Sequence, residues 1–156
     1  MKKGFLLFFV LCMGVNTFAK VNSHAIGARI GGDGDINGIE ISYQRAKGSA
    51  NRLEFDLGFA SNKFRDQISL AGIYQWNFNI EDAFNWYVGP GASVGLYKYT
   101  NSYINIGIGG QIGIEYDFKK QDVPLLLSID ARPMWDLIGD HTGLGWGAAL
   151  GIRYVW

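Results

Sequence analysis

The stretch "YINIGIGGQIGIEYDF", residues 103–118, places a large apolar residue at nearly every second position. Between the apolar positions lie glycine, amide and carboxylate residues, among them Gly107, Gln111 and Glu115. Alternation with a period of two is typical of a β-strand whose two faces meet different surroundings. The stretch therefore predicts a strand with one bulky apolar face and one face of glycine and polar groups.

The same alternation recurs from residue 24 to the end of the chain, in segments separated by polar turns that contain glycine. No segment shows a convincing helical period. The predicted strands are His24–Gly31, Gly38–Ala46, Arg52–Ala60, Gln67–Phe78, Trp86–Tyr97, Tyr103–Phe118, Leu125–Trp135 and Leu144–Trp156. Pro90 and Pro133 fall inside strands and cannot donate a ladder hydrogen bond, so we expect bulges or pairing breaks there.

Residues 1–19 have the form of a secretory signal peptide, with a positive start, a short apolar run, and small or neutral residues ending in Thr17-Phe18-Ala19. We expect cleavage after Ala19, which leaves residues 20–156 as one domain. The apolar run is shorter than the roughly 20 residues that a membrane-spanning helix requires. Cys12 is the chain's one cysteine and leaves with the signal peptide. Neither disulfides nor thiolate chemistry are therefore expected in the exported chain.

The composition differs from that of an ordinary soluble domain, with 22 glycines, 15% aromatic residues and only 18% charged residues. Removal of Lys2 and Lys3 leaves twelve basic residues against fourteen acidic ones. Nucleic-acid binding requires a clustered surplus of Lys and Arg, so that class of function is excluded. The sequence identifies no cofactor and no soluble partner.

The volume of a small barrel decides which face points inward. An eight-stranded barrel has an interior just wide enough for side chains to fill. The apolar face consists mostly of Ile, Leu, Phe, Tyr and Trp and would overfill that space, whereas the glycine-rich face fits it. The apolar face is therefore predicted to point outward into lipid, because in water it would aggregate. The alternative is a soluble lipocalin-like carrier with the apolar face inside.

Charged residues on the predicted inner face must find partners there, because buried unpaired charge is costly. These residues are Arg29, Glu40, Arg52, Glu54, Asp56, Glu115, Asp130, Arg132 and Arg153. A first hairpin turn at Gly34-Asp35 would place Arg29 opposite Glu40, whereas a turn at Asn37-Gly38 would not.

Aromatic residues near the predicted strand ends suggest two girdles of the kind that lipid interfaces favour. With both termini on the periplasmic side, the periplasmic girdle comprises Trp76, Phe78, Trp86, Tyr116, Phe118, Tyr154 and Trp156. The girdle at the far rim comprises Phe59, Tyr97, Tyr99, Tyr103, Trp135 and Trp146. The predicted fold class is therefore all-β, an eight-stranded antiparallel up-and-down transmembrane barrel.

The ending "ALGIRYVW", residues 149–156, resembles the C-terminal signal of small OmpA/OmpX-like outer-membrane barrels. The alternating strands of the whole chain after residue 19 resemble this family as well. The resemblance implies an integral protein of the bacterial outer membrane, in contact with outer-membrane lipid. It also implies recognition of the C-terminal strand by the barrel-assembly machinery. The predicted outer connections are all short, near Asp33–Asn37, Asn62–Asp66, Thr100–Ser102 and Gly139–Thr142.

The segment "DGDING", Asp33 to Gly38, matches the first half of a calcium-binding loop. Asp33, Asp35 and Asn37 would supply the oxygen ligands. The twelfth loop position is Gln44 instead of Glu, and predicted strands flank the segment. The same residues also suit a glycine-rich hairpin turn without a metal.

Two other functions stay open at this stage. Some small outer-membrane barrels modify lipids with a histidine, a serine and an acidic residue near the outer rim. Here Asp140, His141, Thr142 and Ser102 are the nearest residues of that kind, and a solvated loop histidine is the simpler interpretation. The interior charges could instead line a narrow pore, although so small an interior favours a plug. The sequence favours a non-enzymatic barrel with a structural or interaction role in the envelope.

Overall fold

A computed structural model describes residues 17–33, 36–61, 66–98, 102–138 and 143–156 of the 156 residues. The strands are β1 (Thr17–Phe18), β2 (His24–Asp33), β3 (Ile36–Ala46), β4 (Asn51–Ser61), β5 (Asp66–Glu81), β6 (Phe84–Lys98), β7 (Ser102–Asp117), β8 (Leu125–Ile138) and β9 (Gly143–Val155). The eight predicted strands correspond to β2–β9, with ends that differ by three residues or fewer.

Strands β2–β9 form one closed antiparallel barrel. Each strand pairs with the next one along the chain, and β9 pairs with β2 to close the sheet. Closure gives every strand a partner on both sides, which a barrel in lipid requires because no water is available for open edges. The two-residue strand β1 pairs with β5 at Asn79 and Phe78. Cleavage of residues 1–19 stays a prediction.

The start of β2 and the C-terminus lie at one end of the barrel, called the terminal end below. The backbone N–H of His24 donates to the carbonyl of Trp156, and the N–H of Trp156 donates to the carbonyl of His24. At the same end, a 3-10 turn spans Phe118–Gln121 between β7 and β8. Phe118 was predicted at the end of a strand and instead begins this turn. The Asp117 side chain accepts a hydrogen bond from the Lys119 backbone N–H and so draws the chain into the turn.

The opposite end is called the outer end, and its four connections are short. The strand ends leave two, four, three and four residues between β2 and β3, β4 and β5, β6 and β7, and β8 and β9. These connections lie outside the described residues. Among the described residues, no helix has the length and apolar character needed to cross a membrane.

The two prolines inside strands coincide with interruptions of strand pairing, as predicted. Between β5 and β6 the register is the same on both sides of Pro90, but pairing is absent where Pro90 lies opposite Tyr74. Between β7 and β8, pairing is absent where Pro133 lies opposite Gly110. Proline lacks the N–H that a ladder requires, which accounts for the local break.

The alternation along each strand sorts side chains between the interior and the exterior. In β7, Ile104, Ile106 and Ile108 are exposed, whereas the intervening Asn105 and Gly107 are buried. In β9, Leu150, Ile152 and Tyr154 are exposed while Gly151, Arg153 and Val155 are buried. The large exposed side chains are thus apolar, and most of the buried ones are polar or charged. The predicted fold, with its bulky apolar face outward, is confirmed.

Aromatic residues gather at both ends, with one correction to the outer girdle. At the terminal end, Phe78 stacks on Trp86 with ring centroids 4.5 Å apart. At the outer end, Tyr97 and Tyr103 were predicted to belong to the girdle, but the alternation of β6 and β7 places them on the interior face. Gln67 Nε2 donates to the Tyr97 hydroxyl at 3.0 Å. Tyr99 lies outside the described residues.

Glycines on the interior face make room for the few large side chains there. Tyr87 of β6 lies directly opposite Gly113 of β7, and a Cβ atom at position 113 would come within 2.6 Å of the Tyr87 hydroxyl oxygen. Ile73 of β5 lies directly opposite Gly91 of β6, which leaves space for its side chain in the same way. The positions of these glycines therefore determine where a large side chain fits inside the narrow barrel.

If the exterior faces lipid, a charged substitution there should destabilise the barrel more the deeper it lies in the membrane. We expect Ile129→Arg, in the lipid-facing middle of β8, to destabilise the barrel by about 2–4 kcal/mol, and Ile138→Arg, at the strand end, by about 0–1 kcal/mol. Both isoleucines are similarly exposed, at 50% and 58%, so water outside the barrel would make the two changes equally mild. Urea unfolding in lipid vesicles measures the difference, and equal values would contradict a membrane exterior.

Candidate functional site: the charged interior

The nine charged residues named from the sequence occupy interior positions on six strands. Arg29 comes from β2, Glu40 from β3, and Arg52, Glu54 and Asp56 from β4. Glu115 comes from β7, Asp130 and Arg132 from β8, and Arg153 from β9. Glu40 is partly exposed, and the other eight are buried. Each of the nine lies at an inward-facing position in the alternation of its strand. The alternation alone therefore places all nine in the interior.

Arg29 joins three strands through its guanidinium group. It lies directly opposite Glu40 in the β2–β3 ladder and pairs with the Glu40 carboxylate. This is the register expected for a two-residue turn at Gly34-Asp35. The same guanidinium group reaches Asp56 Oδ2 at 3.3 Å and pairs with Asp130 from the other side of the barrel. A single side chain thus connects β3, β4 and β8 across the interior.

Glu54 is the carboxylate at the centre of the network. Arg153 Nη2 lies 3.1 Å from its Oε2 atom, and Arg132 Nη2 lies 3.5 Å from its Oε1 atom. Gln111 Nε2 donates to Oε1 at 3.1 Å, and Gln44 donates to Oε2. With Arg29 4.0 Å away, Glu54 meets side chains from five other strands. Its own side chain is 0% exposed, so these contacts replace water completely.

A second part of the network lies around Arg52, closer to the terminal end. Arg52 Nη2 lies 2.7 Å from Glu115 Oε2, and its Nε donates to Gln75. Its guanidinium carbon lies 4.9 Å from the ring centre of Tyr87, within the range of a cation–π contact. The Gln75 amide donates to Gln111 at 2.6 Å, and this bond links the Arg52 part to the Glu54 part. The network is therefore continuous along the barrel.

Hydroxyl groups complete the partners of the buried arginine on β9. Arg153 Nε donates to Ser42 Oγ at 2.9 Å, and Nη1 donates to Ser128 Oγ at 2.8 Å. Tyr87 donates its hydroxyl proton to Asp130 Oδ2 at 3.1 Å. Buried guanidinium groups are tolerated when such donors and acceptors are matched, so these small polar residues hold the charges in place.

A cavity of about 120 Å³ lies between this network and the outer end. Arg29, Glu40 and Arg132 contribute to its charged part, and small residues such as Gly58 and Ala149 line its sides. Glu40 is the most exposed of the ion-paired interior carboxylates, with a side-chain exposure of 27%. The outer part of the interior is thus open and polar, whereas the charged layer beneath it is filled.

The structure describes few of the other residues singled out from the sequence. Asp35, Asp140, His141 and Thr142 lie outside the described residues, as do the side chains of Asp33 and Asn37. The calcium prediction is therefore untested. Ser102 begins β7 at the outer end, whereas His24 lies at the terminal end, where its Nδ1 atom is 2.8 Å from the Tyr43 hydroxyl. Within residues that the structure describes, no group of His, Cys, Asp and Glu could hold a metal ion.

Sequence reasoning passed over several residues that complete the interior. Gln44, Gln75 and Tyr87 were not among the predicted site residues, and all three are buried and hydrogen-bonded within the network. The strand alternation predicts that these three side chains point inward. It does not predict their hydrogen-bond partners, because some of the partners come from strands distant in sequence.

No protein-family model matches the chain, and no curated protein matches it. Solved structures do match in fold. Neisserial surface protein A (NspA) superposes with a TM-score of 0.63 at 16% identity, over 85% of this chain and 95% of that one. The outer membrane protein OprG from Pseudomonas aeruginosa has a TM-score of 0.59 at 12% identity, over 89% and 98%.

The outer membrane enzyme PagL has the same fold, with a TM-score of 0.51 at 13% identity, over 85% of this chain and 99% of that one. Identities this low establish similarity of fold and leave activity open. The neighbours agree with the predicted place of the chain in the bacterial outer membrane. The chain has the fold of the small eight-stranded outer-membrane β-barrels, as its OmpA/OmpX-like pattern predicts.

The central position of Glu54 predicts a large cost for its removal. We expect Glu54→Ala to destabilise the barrel by roughly 3–5 kcal/mol, because three arginines lose a buried partner. Glu81→Ala is the matched control, since Glu81 is exposed at the end of β5, and a change within about 0.5 kcal/mol is expected. Urea unfolding followed by tryptophan fluorescence measures both. Equal effects of the two variants would contradict the central role of Glu54.

Proposed function

We propose that the protein is a non-enzymatic integral barrel of the outer membrane, with an interior closed to steady ion flow and a structural or interaction role in the cell envelope. The observation that carries the proposal is the charged layer around Glu54, where side chains from six strands meet across the interior. A barrel of eight strands has little space beyond what these side chains fill.

The apolar exterior and the position of β9 indicate which partners the barrel would contact. Outer-membrane lipid covers the apolar exterior, because the exposed isoleucines and leucines form a band around the whole barrel. The terminal end is proposed to face the periplasm, which places the C-terminal strand β9 where an assembly machinery meets it. In the folded barrel, β9 is paired on both sides, with β8 and β2. Such recognition would therefore precede closure of the barrel.

The lipid-modifying enzyme is the second candidate, and the likeness in fold to the enzyme PagL is what keeps it in view. Ser102 is the one candidate residue that the structure describes, and it lies at the opposite end of the barrel from His24. We expect no release or transfer of acyl chains when the refolded protein is incubated with labelled lipid A or phospholipid. Acyl release that disappears in His141→Ala would replace the proposal with the enzyme.

The closed interior predicts the electrical behaviour of the barrel. In planar bilayers the wild-type protein should show no steady large conductance, only small and brief openings at most. The double variant Arg29→Ala/Arg132→Ala removes two side chains that cross the charged layer, so we expect more frequent or longer openings. Arg45→Ala/Lys119→Ala is the control, because both residues are exposed, and it should behave like the wild type. A steady large wild-type conductance would contradict the closed interior.

A further inference from the structure

The short segment that leads into β2, residues 20–23, makes hydrogen bonds with two separate parts of the terminal end. The backbone N–H of Val21 donates to the carbonyl of Ser49 at 3.0 Å, and Ser49 lies in the turn between β3 and β4. The next residue, Asn22, donates from its side-chain Nδ2 to Asp117 Oδ2 at 2.8 Å, and Asp117 is the last residue of β7. Two adjacent residues thus contact different strands. Residues 20–23 are called the entry segment below.

These two contacts lie on nearly opposite sides of the barrel. In the closed ring of strands β2–β9, β7 is four strands away from β3 in either direction. The Asp117 side chain is buried at an inward-facing position, two residues after Glu115. Because adjacent residues are only about 3.8 Å apart, a chain that contacts both sides has to pass over the opening between them. The entry segment therefore crosses the mouth of the barrel at the terminal end.

A third contact fixes the end of the entry segment. The carbonyl of Ser23 accepts a hydrogen bond from the backbone N–H of Ala46 at 3.0 Å, and the chain then enters β2 at His24. All three contacts involve residues that remain in the chain after the predicted cleavage. The N–H of Ala19 also donates to the carbonyl of Asn77 at 3.1 Å, and cleavage would remove that bond.

Two alanines at the inner rim of the terminal end are buried, as a covered mouth requires. Ala50 directly precedes β4 and is 8% exposed, and Ala83 directly precedes β6 and is 3% exposed. Both occupy inward-facing positions, two residues before the buried Arg52 and Asn85. At the rim of an open barrel, such side chains would be in contact with water. Their burial agrees with a chain segment that lies over the mouth.

We propose that the entry segment is a strap that closes the interior at the terminal end, in series with the charged layer around Glu54. Water and small solutes then enter the interior from the outer end, where the polar cavity of about 120 Å³ lies. The interior becomes a cup that is open on one side of the membrane. The assignment of the strap to the periplasmic side rests on the proposed function, in which the terminal end faces the periplasm.

The rate of thiol labelling tests the strap. Ala83→Cys introduces a thiol at the covered rim, and Ala149→Cys introduces one beside the outer cavity. Each is combined with Cys12→Ser, so that the introduced thiol is the only one in the chain. The protein is exported with its own signal peptide, purified from membranes in detergent and reacted with a water-soluble methanethiosulfonate.

Asn22→Ala removes the donor to Asp117, and the thiol at position 83 should then react about fivefold faster, because labelling follows the population in which the mouth is open. Adding Val21→Pro removes the N–H that contacts the Ser49 carbonyl, and the combined increase should reach about twentyfold. Ser23→Ala is the matched control, since it changes the same segment but keeps its backbone contact, and its rate should stay within about twofold of the wild type.

The thiol at position 149 should react at the same rate in all variants, since it is reached from the outer end. A shift in gel mobility on heating shows that each variant is folded before it is labelled. An unchanged rate at position 83 in the double variant would overturn the strap. An equal increase at position 149 would also overturn it, because the whole barrel would then have loosened. A steady large conductance of the wild type contradicts the proposed function instead and leaves the labelling result as it is.

Discussion

The limited volume inside an eight-stranded barrel is the constraint on which the rest of the structure depends. Eight strands enclose a space that side chains of moderate size fill completely. The bulky apolar residues of this chain cannot share that space, so they cover the exterior and require lipid around them. Two large residues that point inward, Tyr87 and Ile73, lie directly opposite glycines that make room for them.

The same constraint explains why the charged residues of the interior are packed against one another. Four arginines and five carboxylates form the network in and next to the layer around Glu54. All but the partly exposed Glu40 are buried, so neighbouring side chains have to match their charges. Glutamine, serine and tyrosine side chains supply further hydrogen bonds. The result is a crosslinked layer that ties strands together across the barrel, and this layer is the basis for proposing a closed interior.

Much of the fold could be predicted from the sequence because alternation is a local property. A period of two assigns Ile108 and Gly107 to opposite faces without knowledge of their neighbours. The pair of Arg29 and Glu40 was predictable as well, since one short hairpin fixes its register. Glu54 could be placed inside the barrel but not at the centre of the network, because its partners come from five strands and depend on how the sheet closes.

The errors have a related origin. Tyr97 and Tyr103 were assigned to the lipid-facing girdle from their position near the strand ends, yet the phase of β6 and β7 turns both inward. Ile73 is apolar and still points inward, because Gly91 across the ladder leaves space for it. Residue type therefore predicts for most positions whether a side chain faces the lipid or the interior. For a single residue, the outcome depends on its place in the strand alternation and on the residue opposite it in the neighbouring strand.

The orientation of the five tryptophans tests the central claim most directly, since all five lie at outward positions of the described strands or, for Trp156, at the chain end beside β9. Their fluorescence can be measured in vesicles of phospholipid with brominated acyl chains, which quench by contact, and separately with acrylamide in the aqueous phase. An apolar face turned into the bilayer predicts strong quenching by the brominated chains and weak quenching by acrylamide. Protection from the brominated chains, with the tryptophans buried inside the barrel, would contradict the account.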